Sequence, residues 1–362
     1  MVRRLIFALV LLSALPAFSQ TPEGGAAVEG SPSYRTEDVR YRNGSLNLAA
    51  LLMLPRSGSP VAGAVIVQGS GTSDRTNGWA RAIAEELVGS GVAVLLTDKR
   101  GSGASEGDWR RADFGDLAED ALAGVRFLRG RPEIDRERVG LVGLSQGGWI
   151  VPLAAARSDE VAFVIDISGA SVSFGEQSFT EMANTARQAG LPEGQVHEVL
   201  ELNRAAAEYL VTGDWERYRR ARERGLERPW KEIAAGFPGT PDSPVWTFLR
   251  GVADYDPMPY WILLTEPVLV LYGAEDERDN VPVAESVRRL EHAFRSAGKT
   301  NHEIVVIPGA GHGFLDPERE LLPAFVEALN GWVKRNVVAS GDQKRDRVTE
   351  TSRNIPRPKA RE

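Results

Sequence analysis

The segment at residues 140–156 begins as an apolar run, turns at the sequence GLSQG and continues with small residues. Ser145 is at the centre of this G-x-S-x-G pattern. The pattern is typical of a sharp strand-to-helix turn, in which glycines let the two backbones approach while the serine hydroxyl stays exposed. Ser145 is therefore the candidate nucleophile, provided that other residues activate it.

A serine hydroxyl is a weak nucleophile near neutral pH and needs a general base. The chain has four histidines. His197 and His292 lie in charged helical stretches and His302 lies at the start of a predicted strand, so we expect these three at the surface. His312 lies in the sequence PGAGHGF directly after the last predicted strand, where glycines allow a loop to reach over the sheet. His312 is the candidate base.

An acidic residue must orient that base. Four carboxylates follow the penultimate predicted strand in the sequence GAEDERDNVP, at residues 273–282. Asp276 is the preferred acid because it is the third residue after the glycine that ends the strand. Asp279 stays open as the alternative, and we expect the two glutamates of this segment to be solvated.

The oxyanion formed by nucleophilic attack needs hydrogen-bond donors. The backbone N–H of Gln146, directly after the candidate nucleophile, is one candidate. A second donor is expected from the glycine-rich sequence QGSGTSDR at residues 68–75, which follows a predicted strand. Ser70 is the candidate there. Because these donors are backbone groups, the side-chain types identify them only weakly.

All of these candidates lie where predicted strands end. Continuous apolar runs predict strands buried on both faces at residues 63–67, 92–97, 138–144, 161–167, 267–272 and 302–307. Helical spacing predicts helices between and after them at residues 79–89, 113–129, 283–297 and 321–337. Residues 39–54 predict a hairpin that turns at an Asn-Gly pair. This alternation predicts an α/β fold, with a mostly parallel sheet, helices on both faces and a ligand crevice at the carboxyl ends of the strands.

The alternation stops between residues 171 and 260, where no buried strand is evident. Helix-periodic, charged segments occur instead at residues 176–189, 193–212 and 215–235. We interpret residues 171–260 as an inserted helical cap between two parts of an α/β core, residues 34–170 and 261–338. Such a cap can wall an active site and select the substrate, and the alternative is a solvated helical decoration.

The amino terminus has the pattern of a signal peptide over residues 1–19: two arginines, an apolar run and a small-x-small cleavage site. Residues 20–33 predict a flexible lead-in, and residues 339–362 predict a disordered tail. We therefore expect a secreted or periplasmic protein without stable membrane insertion after cleavage. The absence of cysteine excludes both disulfides and a cysteine nucleophile.

The charge balance also limits the class of ligand. With 50 acidic and 43 basic residues the formal net charge is −7, which gives no reason to expect a nucleic-acid partner. Neither paired metal-ligand spacing nor a phosphate-binding P-loop occurs in the sequence, so we expect no cofactor. The oligomeric state stays open.

Five motifs occur in a fixed order: QGSGTSDR, DKRGSGASEG, GLSQGG, YGAEDERDNVP and GAGHGF. In these motifs the chain resembles the α/β-hydrolase superfamily, and the nearest branch is exported bacterial esterases similar to prolyl-oligopeptidase-like and acyltransferase-like hydrolases. The resemblance implies the α/β-hydrolase fold. It also implies a catalytic triad of Ser145, Asp276 and His312, with oxyanion donors at Ser70 and Gln146.

Two features depart from the family pattern. Gln68 stands where many relatives have a histidine, which leaves the backbone donor in place. The segment between Asp276 and Val281 is longer than usual, which keeps Asp279 open as the acid. In the motif DKRGSG, we expect Asp98 and Arg100 to pair and to hold this loop near the strand-to-helix turn.

Together these features predict a serine hydrolase that cleaves small-molecule carboxylic esters through an acyl-enzyme. A peptidase or an acyltransferase with the same triad is the alternative within enzymes, although the lack of a propeller domain argues against a large oligopeptidase. A catalytically silent binding module is less favoured because every triad position is filled. Acyl and alcohol specificity stay open.

Overall fold

The computed structural model describes residues 34–339. The predicted signal peptide at residues 1–19, the predicted lead-in at residues 20–33 and all but the first residue of the predicted tail lie outside the described residues. Between residues 34 and 339, no helix is both long enough and apolar enough to cross a bilayer.

Eight strands form one sheet in the order β1-β2-β4-β3-β5-β6-β7-β8. The strands are β1 (Tyr34–Asn43), β2 (Leu46–Pro55), β3 (Val61–Val67), β4 (Ala93–Thr97), β5 (Ile134–Leu144), β6 (Val164–Ile167), β7 (Val268–Gly273) and β8 (His302–Ile307). β1 and β2 form the expected hairpin, β2 also pairs antiparallel with β4, and the other neighbours pair in parallel. The predicted mostly parallel sheet is confirmed.

Helices cover both faces of this sheet. Five of them follow strands of the sheet: α1 (Gly78–Gly89), α2 (Phe114–Arg129), α3 (Gly147–Ala155), α10 (Val283–Ser296) and α11 (Pro323–Val333). Six more helices, called the inserted helices below, lie between β6 and β7: α4 (Phe174–Gln188), α5 (Glu193–Thr212), α6 (Trp215–Leu226), α7 (Lys231–Gly236), α8 (Pro244–Val252) and α9 (Met258–Leu263). The division of the chain into a core and a cap domain stays a prediction.

The core has two layers because alternate strand residues point to opposite faces of the sheet. Val65 of β3 belongs to the layer under α2, α3 and α10, whereas Ile66 belongs to the layer under α1 and α11. The inserted helices extend the first layer, with Val199 and Trp246 buried in the same cluster as Val65. The inserted helices therefore pack continuously with one face of the sheet.

The inserted region contains more helices than the sequence predicts. The segment expected as one helix at residues 215–235 is two helices, because Pro229 lies between them and cannot continue the backbone hydrogen bonding. The sequence does not predict α8 and α9, and each begins beside a proline, Pro244 and Pro257. Both helices are short, at nine and six residues, so their apolar periodicity is too brief to stand out.

Parallel pairing determines where the loops meet. β3, β5, β7 and β8 all run in the same direction, so the segments that follow them emerge at one edge of the sheet. These are the segments that contain the candidate donors, nucleophile, acid and base. The fold therefore brings residues far apart in the chain to one crevice.

Candidate active site

Ser145 lies in the turn between β5 and α3. Its φ of 52° is in the left-handed region, which is uncommon for a residue other than glycine and is typical of strained functional turns. The Ser145 N–H donates to the carbonyl of Ile167 at 2.9 Å, and its carbonyl accepts from the Gly148 N–H at 2.8 Å. Backbone hydrogen bonds on both sides thus hold the strained conformation.

Close backbone packing explains two glycines of this turn. A Cβ on Gly147 would clash with the carbonyl oxygen of Val67 at the end of β3. A Cβ on Gly143 would come within 2.6 Å of the Gly147 backbone. Both distances are below what a real side chain tolerates, so glycine is required for β5 and α3 to meet at this angle.

His312 lies beside Ser145, as the sequence predicts. Its Nε2 is 3.0 Å from the Ser145 Oγ. A hydrogen bond holds the loop that carries His312, because the Ser168 hydroxyl donates to the His312 carbonyl at 2.7 Å. Ser168 itself is fully buried at the end of β6 with a φ of 58°.

Asp276 is the carboxylate that contacts the histidine. It lies in a short 3₁₀ turn after β7, its Oδ2 is 2.7 Å from His312 Nδ1, and its side chain is fully buried. Its Oδ1 accepts from the Asn280 N–H at 3.2 Å. Asp279, the alternative acid, is exposed, and its Oδ1 lies 3.5 Å from the Gln188 amide instead.

The electrostatics of the site act on the imidazole. Burial opposes protonation of His312, but attraction to Asp276 and the hydrogen bond with it outweigh this effect. Asp279 and Asp166 add to the attraction, and the net effect raises the pKa of His312. The Trp79 ring lies 5.8 Å from the imidazole, centroid to centroid, and covers it from one side.

Ser70 and Gln146, the expected oxyanion donors, both line the same pocket as Ser145. Lys99, which follows β4 and is 7% exposed, links them. Its Nζ donates to the carbonyls of Gly69 and Gly71, the second at 3.0 Å, and to the Gln146 side-chain oxygen at 3.0 Å. Burial lowers the pKa of Lys99 to about 7. Lys99 thereby connects the two segments that carry the candidate donors.

Gln68 takes a structural role in the same loop. Its side-chain amide donates to the carbonyl of Thr97 at 2.9 Å and to that of Asp74 at 3.2 Å, and its oxygen accepts from the Ser73 hydroxyl at 2.9 Å. These three bonds join the loop after β3 to the end of β4. Gln68 thus holds the loop after β3 in place.

The expected pair of Asp98 and Arg100 is wrong. Asp98 instead pairs with Arg75 at 2.7 Å, and Arg100 pairs with Asp120 of α2 at 2.6 Å. The chain turns between them, since the Ser102 N–H donates to the Lys99 carbonyl at 2.8 Å, and the two side chains go to different neighbours.

The pairing with Arg75 also stabilises the ionised form of Asp98. Burial opposes ionisation of Asp98, but hydrogen bonds from Arg75 and from the Ala104 N–H outweigh it and lower its pKa. Because Arg75 ends the sequence QGSGTSDR, this ion pair holds the loop after β3 against the loop after β4.

A pocket of about 250 Å³ opens over Ser145 and His312. Trp79, Trp149 and Leu144 supply its apolar lining. The inserted helix α4 supplies part of the wall through Gln177 and Glu181. The pocket is therefore enclosed by the sheet edge on one side and by an inserted helix on the other.

Sequence reasoning missed Lys99 and Glu181. Lys99 lies two residues after the end of a buried strand, which is a weak signal for a buried position, and its acceptors lie on segments far away in the chain. Glu181 lies in a helix whose other charged residues are solvated, and no local signal sets it apart. Among the described residues, no cluster of three or more histidine, cysteine or acidic side chains has the geometry of a metal site.

A sequence profile described as the alpha/beta hydrolase family matches residues 64–324. The chain therefore belongs to the α/β-hydrolase family. Family membership supports a hydrolase as the class of enzyme and a small molecule as the class of substrate.

Individual proteins resemble the chain less extensively. The quorum-quenching protein AidA of Acinetobacter baumannii (strain MDR-ZJ06) is 33% identical over 129 residues, which cover 35% of this chain and 42% of AidA. The match thus spans less than half of that relative.

Solved structures share the fold over most of the chain. An esterase of Pyrococcus furiosus superposes with a TM-score of 0.56 at 18% identity, covering 87% of this chain and 97% of that chain. The acylaminoacyl peptidase of Pyrococcus horikoshii gives a TM-score of 0.53 at 17% identity, covering 84% of this chain and 42% of that chain. At this identity the similarity shows the fold alone.

Proposed function

We propose that the protein is a serine esterase that cleaves small carboxylic esters through an acyl-enzyme. One observation carries the proposal: the continuous chain of contacts from Ser145 Oγ to His312 Nε2 at 3.0 Å and from His312 Nδ1 to Asp276 Oδ2 at 2.7 Å. This is the arrangement that activates a serine hydroxyl.

We assign the protons of the triad from the chemistry of its contacts. Asp276 is a carboxylate that accepts, so His312 Nδ1 carries the hydrogen and Nε2 is left to accept from Ser145. When the Ser145 oxygen attacks the ester carbonyl carbon, its proton moves to Nε2. The imidazolium then protonates the leaving alkoxide, and the acyl group stays on Ser145. A water molecule then attacks the acyl-enzyme with the same proton transfers through His312, which releases the carboxylic acid product and restores Ser145.

The negative oxygen of each tetrahedral intermediate needs donors that are already in position. We assign this role to the backbone N–H groups of Ser70 and Gln146. Both residues line the pocket beside Ser145, and the bonds of Lys99 to their segments restrict their movement. Such preorganised donors stabilise the transition state without a reorganisation cost.

The size of the pocket favours small esters as substrates. About 250 Å³ accommodates a short acyl or alcohol group, and the walls of Trp79, Trp149 and Leu144 suit an apolar one. A peptidase would need room on both sides of the scissile bond for a polypeptide.

Covalent labelling tests the proposal. A fluorophosphonate probe should label the wild type, and Ser145→Ala should abolish labelling and lower kcat for p-nitrophenyl butyrate by a factor on the order of 10⁴ or more. Ser57→Ala is the matched control, because Ser57 lies in an exposed loop. Undiminished labelling of the Ser145→Ala protein would refute the assignment.

The peptidase and acyltransferase alternatives are tested on the same preparations. Peptide p-nitroanilides should be cleaved more slowly than p-nitrophenyl butyrate. Added alcohols should compete poorly with water for the acyl-enzyme. A kcat/KM for a peptide substrate above that for the ester would instead favour a peptidase. An acylated alcohol as the main product would favour an acyltransferase.

We also propose that the protein is exported. The support is the signal-peptide pattern of residues 1–19. Amino-terminal sequencing of protein recovered from the periplasmic or culture fraction should begin after Ser19. A protein that keeps its initiator methionine and stays with the cytoplasmic fraction would contradict export.

A further inference from the structure

Glu181 is a buried carboxyl group that the catalytic scheme does not use. It lies on α4, is 3% exposed and lines the pocket that opens over Ser145 and His312. Its Oε1 has no hydrogen-bond partner among residues 34–339. Buried carboxyl oxygens are nearly always paired, so an unpaired one beside a pocket suggests that a ligand supplies the partner.

The helix that carries Glu181 is fixed in place. Gln177, Glu181, Asn184 and Gln188 recur at the spacing that lines one face of a helix. The amide of Asn184 donates to the Glu277 carbonyl at 3.0 Å, and the amide of Gln188 donates to the Arg278 carbonyl at 2.6 Å. One face of α4 thus both binds the 3₁₀ turn that contains Asp276 and presents Gln177 and Glu181 to the pocket.

A second contact anchors the start of α4. Arg289 of α10 pairs with Glu176 at 2.6 Å, and the Ser173 N–H at the helix cap donates to the same carboxylate at 3.0 Å. With both of its ends tied to the core, α4 is not a freely moving lid. Glu181 is therefore a preorganised part of the pocket wall.

The charged groups around Glu181 determine which charge on a ligand is favourable there. Burial raises the pKa of Glu181 well above its usual range, and the carboxylates of Asp279 and Asp276 raise it further. Asp276 and Asp279 thus act on Glu181 from behind the pocket wall, whereas the described lining itself holds Glu181 as its acidic side chain and Arg319 as its basic one. A cationic hydrogen-bond donor complements such a site better than a neutral or anionic group.

We propose that Glu181 recognises a protonated amine on the substrate, so that the preferred esters carry an amino group. This inference rests on the proposed esterase function and names its substrate class. Because a bound cation favours the ionised form of Glu181, the carboxyl group would release its proton to solvent as the ammonium group binds. The resulting carboxylate would hold the ammonium group while Ser145 attacks the ester carbonyl. The reaction at the carbonyl stays the one described above.

Pairs of esters that differ in one group test the inference. p-Nitrophenyl β-alaninate is compared with the butyrate, and p-nitrophenyl ε-aminocaproate with the heptanoate, since each amine replaces a methyl group of similar size. We expect the wild type to prefer at least one amino ester. We define the amino preference as kcat/KM for the amino ester divided by kcat/KM for the matched alkyl ester. This preference should fall about tenfold or more in Glu181→Gln.

Two controls separate recognition from general effects. Glu275→Gln removes a carboxylate one residue from Asp276, but this side chain is exposed, so the amino preference should stay unchanged. The unfolding temperature of Glu181→Gln should not fall, because the wild-type Oε1 makes no hydrogen bond within the described part of the chain. The ε-hydroxycaproate ester tests a neutral donor, and a preference for it over the amino ester would overturn the inference.

Binding measurements keep this inference separate from the esterase proposal. In the Ser145→Ala background, calorimetry with ethyl ε-aminocaproate and ethyl heptanoate reports recognition without turnover. Tighter binding of the amino ester, lost in Ser145→Ala/Glu181→Gln, supports the inference even if no ester is cleaved. Equal binding of both esters, or a preference that survives Glu181→Gln, overturns it. Absence of ester cleavage in the wild type alone refutes only the proposed function.

Discussion

The Nζ of Lys99 lies 3.0 Å from the Oε1 of Gln146, so a buried amine contacts the residue directly after the candidate nucleophile. The same Nζ binds the carbonyls on either side of Ser70. Each of its three hydrogens has one acceptor, and none of these acceptors is charged. This arrangement makes Lys99 a positioning residue for the two candidate oxyanion donors.

Lys99→Met should therefore lower kcat for p-nitrophenyl butyrate by about tenfold or more with little change in KM, because misplaced donors weaken transition-state binding. The wild-type rate should also decline as the pH rises above about 7, where Lys99 loses its proton and can donate only two hydrogen bonds. Lys99→Met should lack this alkaline decline. A rise in KM with an unchanged kcat would point to a role in substrate binding instead.

The triad acid is tested by paired substitutions. Asp276→Asn should lower kcat by a factor on the order of 10³ to 10⁴, because an amide favours the wrong imidazole tautomer and does not stabilise the imidazolium. Asp279→Asn should change kcat by no more than about twofold, as expected of an exposed residue. The reverse outcome would assign the acid to Asp279.

The pH dependence of kcat/KM reports the free His312. Burial opposes its protonation, but the attraction of nearby carboxyl groups raises its pKa above the usual value of about 6.5. Asp276 has the largest such effect, and Asp279 and Asp166 have smaller ones. Since only the neutral imidazole can accept the Ser145 proton, kcat/KM should rise with pH through a midpoint above about 6.5 and be lost below it. Asp279→Asn should move this acid limb to lower pH, and a limb that does not move would show that Asp279 has no influence on His312.

The sequence places Ser145 and His312 in loops that meet in the folded chain, because each position depends on local signals. Ser145 lies in a turn whose glycines are needed within a few residues of it, and His312 lies in a glycine-rich loop directly after a strand. Parallel pairing of the strands then brings both loops to one edge. The sequence favours Asp276 as the acid but leaves Asp279 open, because the choice depends on the 3₁₀ turn that directs one side chain inward.

Side-chain partners are harder to predict than positions. Asp98 and Arg100 are two residues apart, yet each binds a partner more than fifteen residues away. The acceptors of Lys99 and the surroundings of Glu181 likewise belong to segments that meet only in the folded chain. Periodicity describes how each segment faces the core, but it does not specify which distant polar groups meet there.

Close packing at the strand-to-helix turn gives a prediction on stability. Gly147→Ala would place a Cβ against the Val67 carbonyl oxygen, a backbone atom that cannot move without shifting β3. We expect the free energy of unfolding to fall by about 1–3 kcal/mol. Activity should also fall, because β3 leads into the loop that contains Ser70.

Gly194 is the matched control for this substitution. It is the second residue of α5, and beyond the adjoining helix backbone no atom of the described residues lies within 4 Å of the position that a Cβ would take, so alanine fits there. Gly194→Ala should raise the free energy of unfolding by up to about 0.5 kcal/mol, since alanine loses less backbone entropy than glycine does and the gain is smaller in the first turn than in a helix interior. Urea titrations at constant m-value measure both changes. Equal effects of the two substitutions would mean that the packing of Gly147 against β3 does not limit stability.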